Sequence, residues 1–201
     1  MTPSTECRKP RVKSLPIMVI VAGVGLVASP VAAQTPAPSC EVRGSHEWLS
    51  QRGSPFDSAV VQVEELTAKV CYSRPSARGR RVFGGLVQWG RAWRTGANEP
   101  TVLHLPFHAQ VAGVSLAPGR YLLMTVPEET RWTIVFYTAE GTDPATMFQT
   151  MEQIGLGPVP VERTAEHVER FTIRGNAEGN TVEFVLEWER VRVRIPIVVV
   201  N

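Results

Sequence analysis

The sequence predicts an all-β fold: an antiparallel β-sandwich, jelly-roll-like, with one short helix. Three observations carry this expectation. From Ser58 onward apolar residues recur at every second position, first as Val61 and Val63 and then as Ala68, Val70 and Tyr72, the period of a strand with one buried face. Clusters of Gly, Pro and Asn break these runs at short intervals, as turns do between the short strands of sandwiches and jelly rolls. Helical signals are concentrated in one stretch, Pro144 to Ile154, and no internal repeat is present.

The chain begins with an address label. Arg8, Lys9, Arg11 and Lys13 precede an apolar run from Leu15 to Ala28, and Val31-Ala32-Ala33 offers small residues for cleavage before Gln34. That order is the order of a secretory signal peptide, here residues 1–33. Pro16, Gly23 and Gly25 interrupt the run, which is shorter than the roughly 20 apolar residues a spanning helix needs. The mature chain is therefore expected in the periplasm or outside the cell, with no membrane anchor. Ala37-Pro38-Ser39 ahead of Cys40 lacks the leucine-rich lead of a lipoprotein signal.

Removing the leader changes the charge balance. Of 21 Lys/Arg and 19 Asp/Glu, four and one lie in residues 1–33, leaving 17 against 18. A near-neutral protein gives no electrostatic argument for nucleic acid. Cys7 leaves with the leader, so Cys40 and Cys71 remain as an even pair. In an oxidising compartment they are expected as one disulfide, worth roughly 3–4 kcal/mol on the chain-entropy model; two free cysteines are the alternative.

Residues 34–57 read as a leader and irregular segment, Pro/Ser-rich at first, with a short helical turn around His46, Trp48 and Leu49 that Pro55 ends. Residues 58–201 read as a single β-sandwich domain, large enough for its own core. Val61 to Tyr72 forms a hairpin turning at Glu64-Glu65. Strands are then expected at Thr101 to Leu105, Ala109 to Val111, Val114 to Leu116, Arg120 to Val126 and Arg131 to Thr138, with a tight turn at Ala117-Pro118-Gly119. Asp143 is the expected N-cap of the helix, with Pro144 at its first position, Met147, Phe148, Met151 and Ile154 on its apolar face and Gly155 as its stop. Three strands close the chain: Val168 to Arg174, Thr181 to Trp188 across the Gly175 to Asn180 turn, and Arg190 to Ile195.

Against this regular background, Tyr72 to Thr101 is the expected site. It holds six arginines, two tryptophans and five glycines, and no acid lies between Glu65 and Glu99. The glycines and Pro75 allow only a structured loop, with a short strand near Val82 and Phe83. Guanidinium groups bind anions through paired donors and stack on aromatic faces. Tyr72, Arg74, Arg80, Trp93, Arg94, Asn98 and Glu99 are the candidate ligand-binding residues, for a small anionic or carbohydrate-like molecule. Arg74 and Arg94 also read as internal struts, bonded to loop carbonyls and to Glu99 or Glu187.

Other chemistries find less in the chain. It has no G-x-S-x-G elbow and no G-x-x-x-x-G-K phosphate loop. His104 and His108 have helical metal spacing, but Pro106 between them argues strand and turn, so neither metal nor cofactor is expected. A hydrolase using Glu99, with Glu187 or Glu189 as second carboxylate, is an alternative. Glu187 and Glu189 are expected on one face of their strand.

The residues Tyr72-Ser73-Arg74-Pro75, Gly79-Arg80, Phe83-Gly84-Gly85-Leu86-Val87, Trp93 to Glu99 and Thr101 together resemble the domain of unknown function 2911 family. The likeness continues through Leu116 to Tyr121, Trp132 and Leu186-Glu187-Trp188-Glu189. It implies an exported, β-rich bacterial domain and brings no activity or residue role with it. Gln88-Trp89 departs from the family's proline-plus-aromatic, and Tyr137 to Gly157 replaces its Trp-Gly segment. The expected function is thus a non-catalytic binding domain. Beside it stand the cell-envelope hydrolase and a partner-binding domain whose loop is only a packed plug.

Overall fold

A computed structural model of the chain describes residues 37–42, 44–139, 144–178 and 181–200. The expected signal peptide, the helix cap at Asp143, the Met147 side chain and the end of the last turn at Gly179-Asn180 lie outside the described residues.

The order is α1 (His46–Gln51), β1 (Phe56–Val63), β2 (Leu66–Ser73), β3 (Val102–Leu105), β4 (Ala109–Val111), β5 (Val114–Leu116), β6 (Gly119–Pro127), β7 (Arg131–Thr138), α2 (Pro144–Thr150), β8 (Gln153–Glu178) and β9 (Thr181–Val199). Ser45 caps α1, its hydroxyl accepting from the Trp48 amide at 3.2 Å. Every ladder is antiparallel, in the sheet order β1-β2-β3-β6-β7-β8-β9-β4-β5. The fold is all-β with short helices.

β8 turns this single sheet into a sandwich-like body. Its first part pairs with β7 and its remainder with β9, so one strand belongs to both layers. Val61, Val70, Tyr72, Leu103 and Ile134 of the first layer share a core with Phe171, Ile173, Phe184, Leu186 and Trp188 of the second. Each such side chain contributes about 1.5–3 kcal/mol on burial. Tyr72 ties the layers together: its hydroxyl accepts from the Ile173 amide at 2.8 Å and donates to the Ile173 carbonyl at 3.2 Å. Burial pushes its phenol up to about 12.

Three expectations are corrected, and a stretch left unassigned by the sequence proves to be strand. The helix ends at Thr150, because from Gln153 the chain pairs with β7, and Gly155 lies opposite Phe136. The stretch 153–167, rich in Gly and Pro, is strand. Val161 donates its amide to Thr130, so by antiparallel alternation Pro158 and Pro160 turn their missing N–H groups away from β7. Gly157 belongs there because a Cβ would lie 1.9 Å from the Ala112 carbonyl oxygen of the β4–β5 turn. Val82 and Phe83 form no strand, only a single bridge from Phe83 to Val87.

The third correction concerns the end of the chain, where two long strands replace three. Glu189 has φ 52 and the β8–β9 register shifts around it, which flips the alternation, so Phe184, Leu186 and Trp188 before it and Val191, Val193 and Ile195 after it all reach the core. Glu187 and Glu189 accordingly do not share a set of partners. Glu187 is buried between Arg174 and Arg192, whereas Glu189 accepts from the amides of Val82 at 2.8 Å and Phe83 at 3.5 Å. Arg194 meets Glu183, eleven positions away on the same strand, at 2.5 Å. Eleven extended residues would span roughly 36 Å, so β9 is sharply bent.

Candidate functional site

The loop between β2 and β3 is anchored by its apolar side chains. Val82, Phe83 and Val87 are buried. Phe83 meets Trp132 at 5.1 Å and Trp93 stacks on Trp188 at 5.8 Å, offset and edge-on contacts that add about 0.5–1.5 kcal/mol each beyond burial. The backbone of Trp93 exchanges hydrogen bonds with Thr125 of β6, at 2.7 and 2.9 Å. The loop is therefore packed onto strands of both layers through its rings.

Two cavities adjoin along this loop. One, of about 390 Å³, is lined by Arg52, Ser76, Arg78, Arg80 and Asn98 among others. Its neighbour, of about 280 Å³, is lined by Leu86, Val87, Trp93, Ala97 and Trp188. Ser54, Pro75 and Arg80 line both, which makes them two arms of one cleft, cationic on one side and aromatic on the other. Arg80 stands at the junction. Its Nε and Nη2 donate to Ala77 and Ser76 carbonyls at 3.0 Å, which fixes the guanidinium and leaves Nη1 with no hydrogen-bond partner among the described residues. Arg78 is held to Gly53 only through Nη2, at 3.3 Å, and Asn98 projects from a left-handed backbone, φ 59.

The expected site residues divide accordingly. Arg80, Trp93 and Asn98 come together in the cleft. Tyr72 is in the core. Arg74 is a strut, bonded to Phe171, Asp57 and Thr172 at 3.2, 3.0 and 2.8 Å. Arg94 donates to the Asn98 carbonyl at 2.9 Å and lies over the Phe148 ring. Glu99 receives Arg52 on both oxygens, at 2.7 and 2.8 Å, and the Ser73 hydroxyl at 2.8 Å. Burial alone would raise its carboxyl, but these donors outweigh burial and hold it below its ordinary value. Arg52, Arg78 and Trp188 were not among the expected residues. Arg52 lies 47 positions from Glu99, in a stretch with no periodicity, so no local signal connects them.

The expected disulfide is present, joining Cys40 to Cys71 with Cα atoms 5.8 Å apart. His104 lies in β3, while His108 is exposed ahead of β4. Among the described residues no three His, Cys, Asp or Glu side chains group as a metal site, and no helix is long and apolar enough to cross a membrane.

Residues 54–197 match the family described as Protein of unknown function (DUF2911). The chain belongs to this family. The DUF2911 match takes in both arms of the cleft apart from Arg52 and Gly53, and ends within β9. No curated protein and no solved structure matches the chain.

Proposed function

We propose that this DUF2911 protein is an exported, non-catalytic binding domain for a small molecule that joins an anionic group to a flat ring, as an acidic sugar does. The observation that supports this most is the continuity of the two cavities through Arg80, which puts open guanidinium donors next to an indole wall. Arginine offers a carboxylate or phosphate paired, charge-assisted donors, and the half-buried Trp93 adds apolar surface to the adjoining arm. The basic leader with its small-residue cleavage motif supports export, and the Cys40–Cys71 disulfide fits an oxidising compartment.

The hydrolase reading has less to rest on. Glu99 is bound on both oxygens and held in its ionised form by Arg52 and Ser73, so it has no proton to give as a general acid at neutral pH. Calorimetric titration with glucuronate, glucose and inorganic phosphate tests the binding reading. Glucuronate should bind more tightly than glucose, and Arg80→Gln should weaken it about tenfold, the size of one charge-assisted bond, with little change in melting temperature. Equal binding by wild type and Arg80→Gln, or no binding of any of the three, would remove the cleft as an anion site.

A further inference from the structure

A second cavity lies on the outer face of the first layer and shares no lining residue with the arginine–tryptophan cleft. Lys69 of β2 is the register partner of His104 of β3, and His104 is the partner of Arg120 of β6. Three basic residues thus stand in one row across three strands, with side chains about 5 Å from their neighbours. Val70, Leu103 and Tyr121, next to them in sequence, turn to the core, so the row is on the outer face.

Like charges in such a row repel, and the N-terminal segment answers part of that repulsion. The Pro38 carbonyl accepts from the Lys69 ammonium at 2.9 Å, Glu41 pairs with Arg120 at 2.8 Å, and Cys40 is bonded to Cys71 of β2. His104 is left over. It is only 7% exposed, yet among the described residues it has no hydrogen-bond partner. Burial first, then Arg120 and Lys69, lower its imidazole to about 4, so at neutral pH the ring is uncharged, with one N–H to donate and one nitrogen to accept.

The space His104 lines is a cavity of about 460 Å³, walled by Pro38, Leu66, Pro106 and Pro118, with Arg120 at its side. Its walls are mostly apolar, and His104 is the buried polar side chain among them. A hydrogen bond from the imidazole to a charged ligand oxygen contributes about 1.5–3 kcal/mol. We propose that this cavity binds a small amphipathic carboxylate, its hydrocarbon body against the proline and leucine walls and its carboxylate accepting the His104 N–H in the field of Lys69 and Arg120. The disulfide two residues from Pro38 holds one wall in place.

Octanoate and octan-1-ol, of equal chain length, are the probes, titrated calorimetrically into the disulfide-bonded protein at pH 7. Octanoate should saturate one site and octanol should bind at least tenfold more weakly. His104→Leu, which keeps the volume and removes the N–H, should weaken octanoate at least tenfold. If that variant does not fold, Leu66→Trp, at a half-exposed wall position, should abolish binding by filling the space. The proposal is overturned if octanoate does not bind, if octanol binds as tightly, or if octanoate binding survives His104→Leu or Leu66→Trp unchanged. Arg80→Gln should leave octanoate binding as it is, so failure here and failure at the cleft are told apart.

Discussion

Glu99 takes two hydrogen bonds from Arg52 and one from Ser73, and all three groups are largely buried. A pair like this stabilises little relative to a well-packed apolar pair, but breaking it from one side leaves a buried charge without its partner. Glu99→Gln should therefore cost roughly 2–4 kcal/mol in urea unfolding, and Arg52→Ala a similar amount. The double variant should cost much less than the sum, because both single changes remove the same interaction. An additive result would mean that the two side chains act separately. The same arithmetic explains why an isolated Glu99 in the sequence looks like a catalytic carboxylate. Its partner comes from α1's C-terminal flank, and only that partner turns it into a strut.

Glycines in β8 mark where elements press on one another. A Cβ on Gly175 would lie 1.8 Å from the Val60 carbonyl oxygen of β1, closer than backbone atoms tolerate. Gly175→Ala must therefore push β1 off β8, and overpacking of this kind costs about 1–3 kcal/mol. The loss should appear as a lowered urea midpoint and as faster amide exchange in β1, with β4 and β5 unaffected. Exchange that rises evenly over the whole chain would show that β1 is not a separate unit of stability. The arginine loop works in the opposite way. It is held by Phe83 and Trp93 inside and by the Glu189 carboxylate on its amides, so its outer arginines sit on a fixed base.

The protein as a whole carries a pH signature that follows from buried groups of opposite kinds. His104 titrates at about 4 in the folded chain against an ordinary 6.5, so as pH falls the unfolded chain takes up the proton first. Stability present above about pH 6.5 is lost progressively toward pH 4. Glu99, depressed from 4.5, adds a further loss below that value. Tyr72, raised from 10.0 to about 12, acts at the other end: the unfolded chain loses its proton first, and stability falls as pH rises over that interval. Urea midpoints measured from pH 4 to pH 12 should trace a dome, and His104→Leu should flatten its acid shoulder between 6.5 and 4. An unchanged shoulder would show that His104 does not titrate as a buried group.

Much of this protein can be read from residue order alone, because the features concerned are local. Period-two alternation marks β1, β2, β6 and β7, the Pro-Gly turn precedes β6, and the even cysteine pair finds its own bond. Tyr72 to Thr101 stands out by composition, and Arg80, Trp93 and Asn98 within it do line a cleft. What residue order hides is set by contacts between distant segments. Gly155 to Pro160 looks like a breaker of structure, and becomes strand because β7 accepts it on one side and Ala112 needs its missing Cβ on the other. Arginines of one loop look alike in sequence. The carbonyl, carboxylate and hydroxyl it meets make Arg74 a strut, whereas Arg80 keeps an open donor at the cleft, since a guanidinium's role depends on which of its donors are already satisfied.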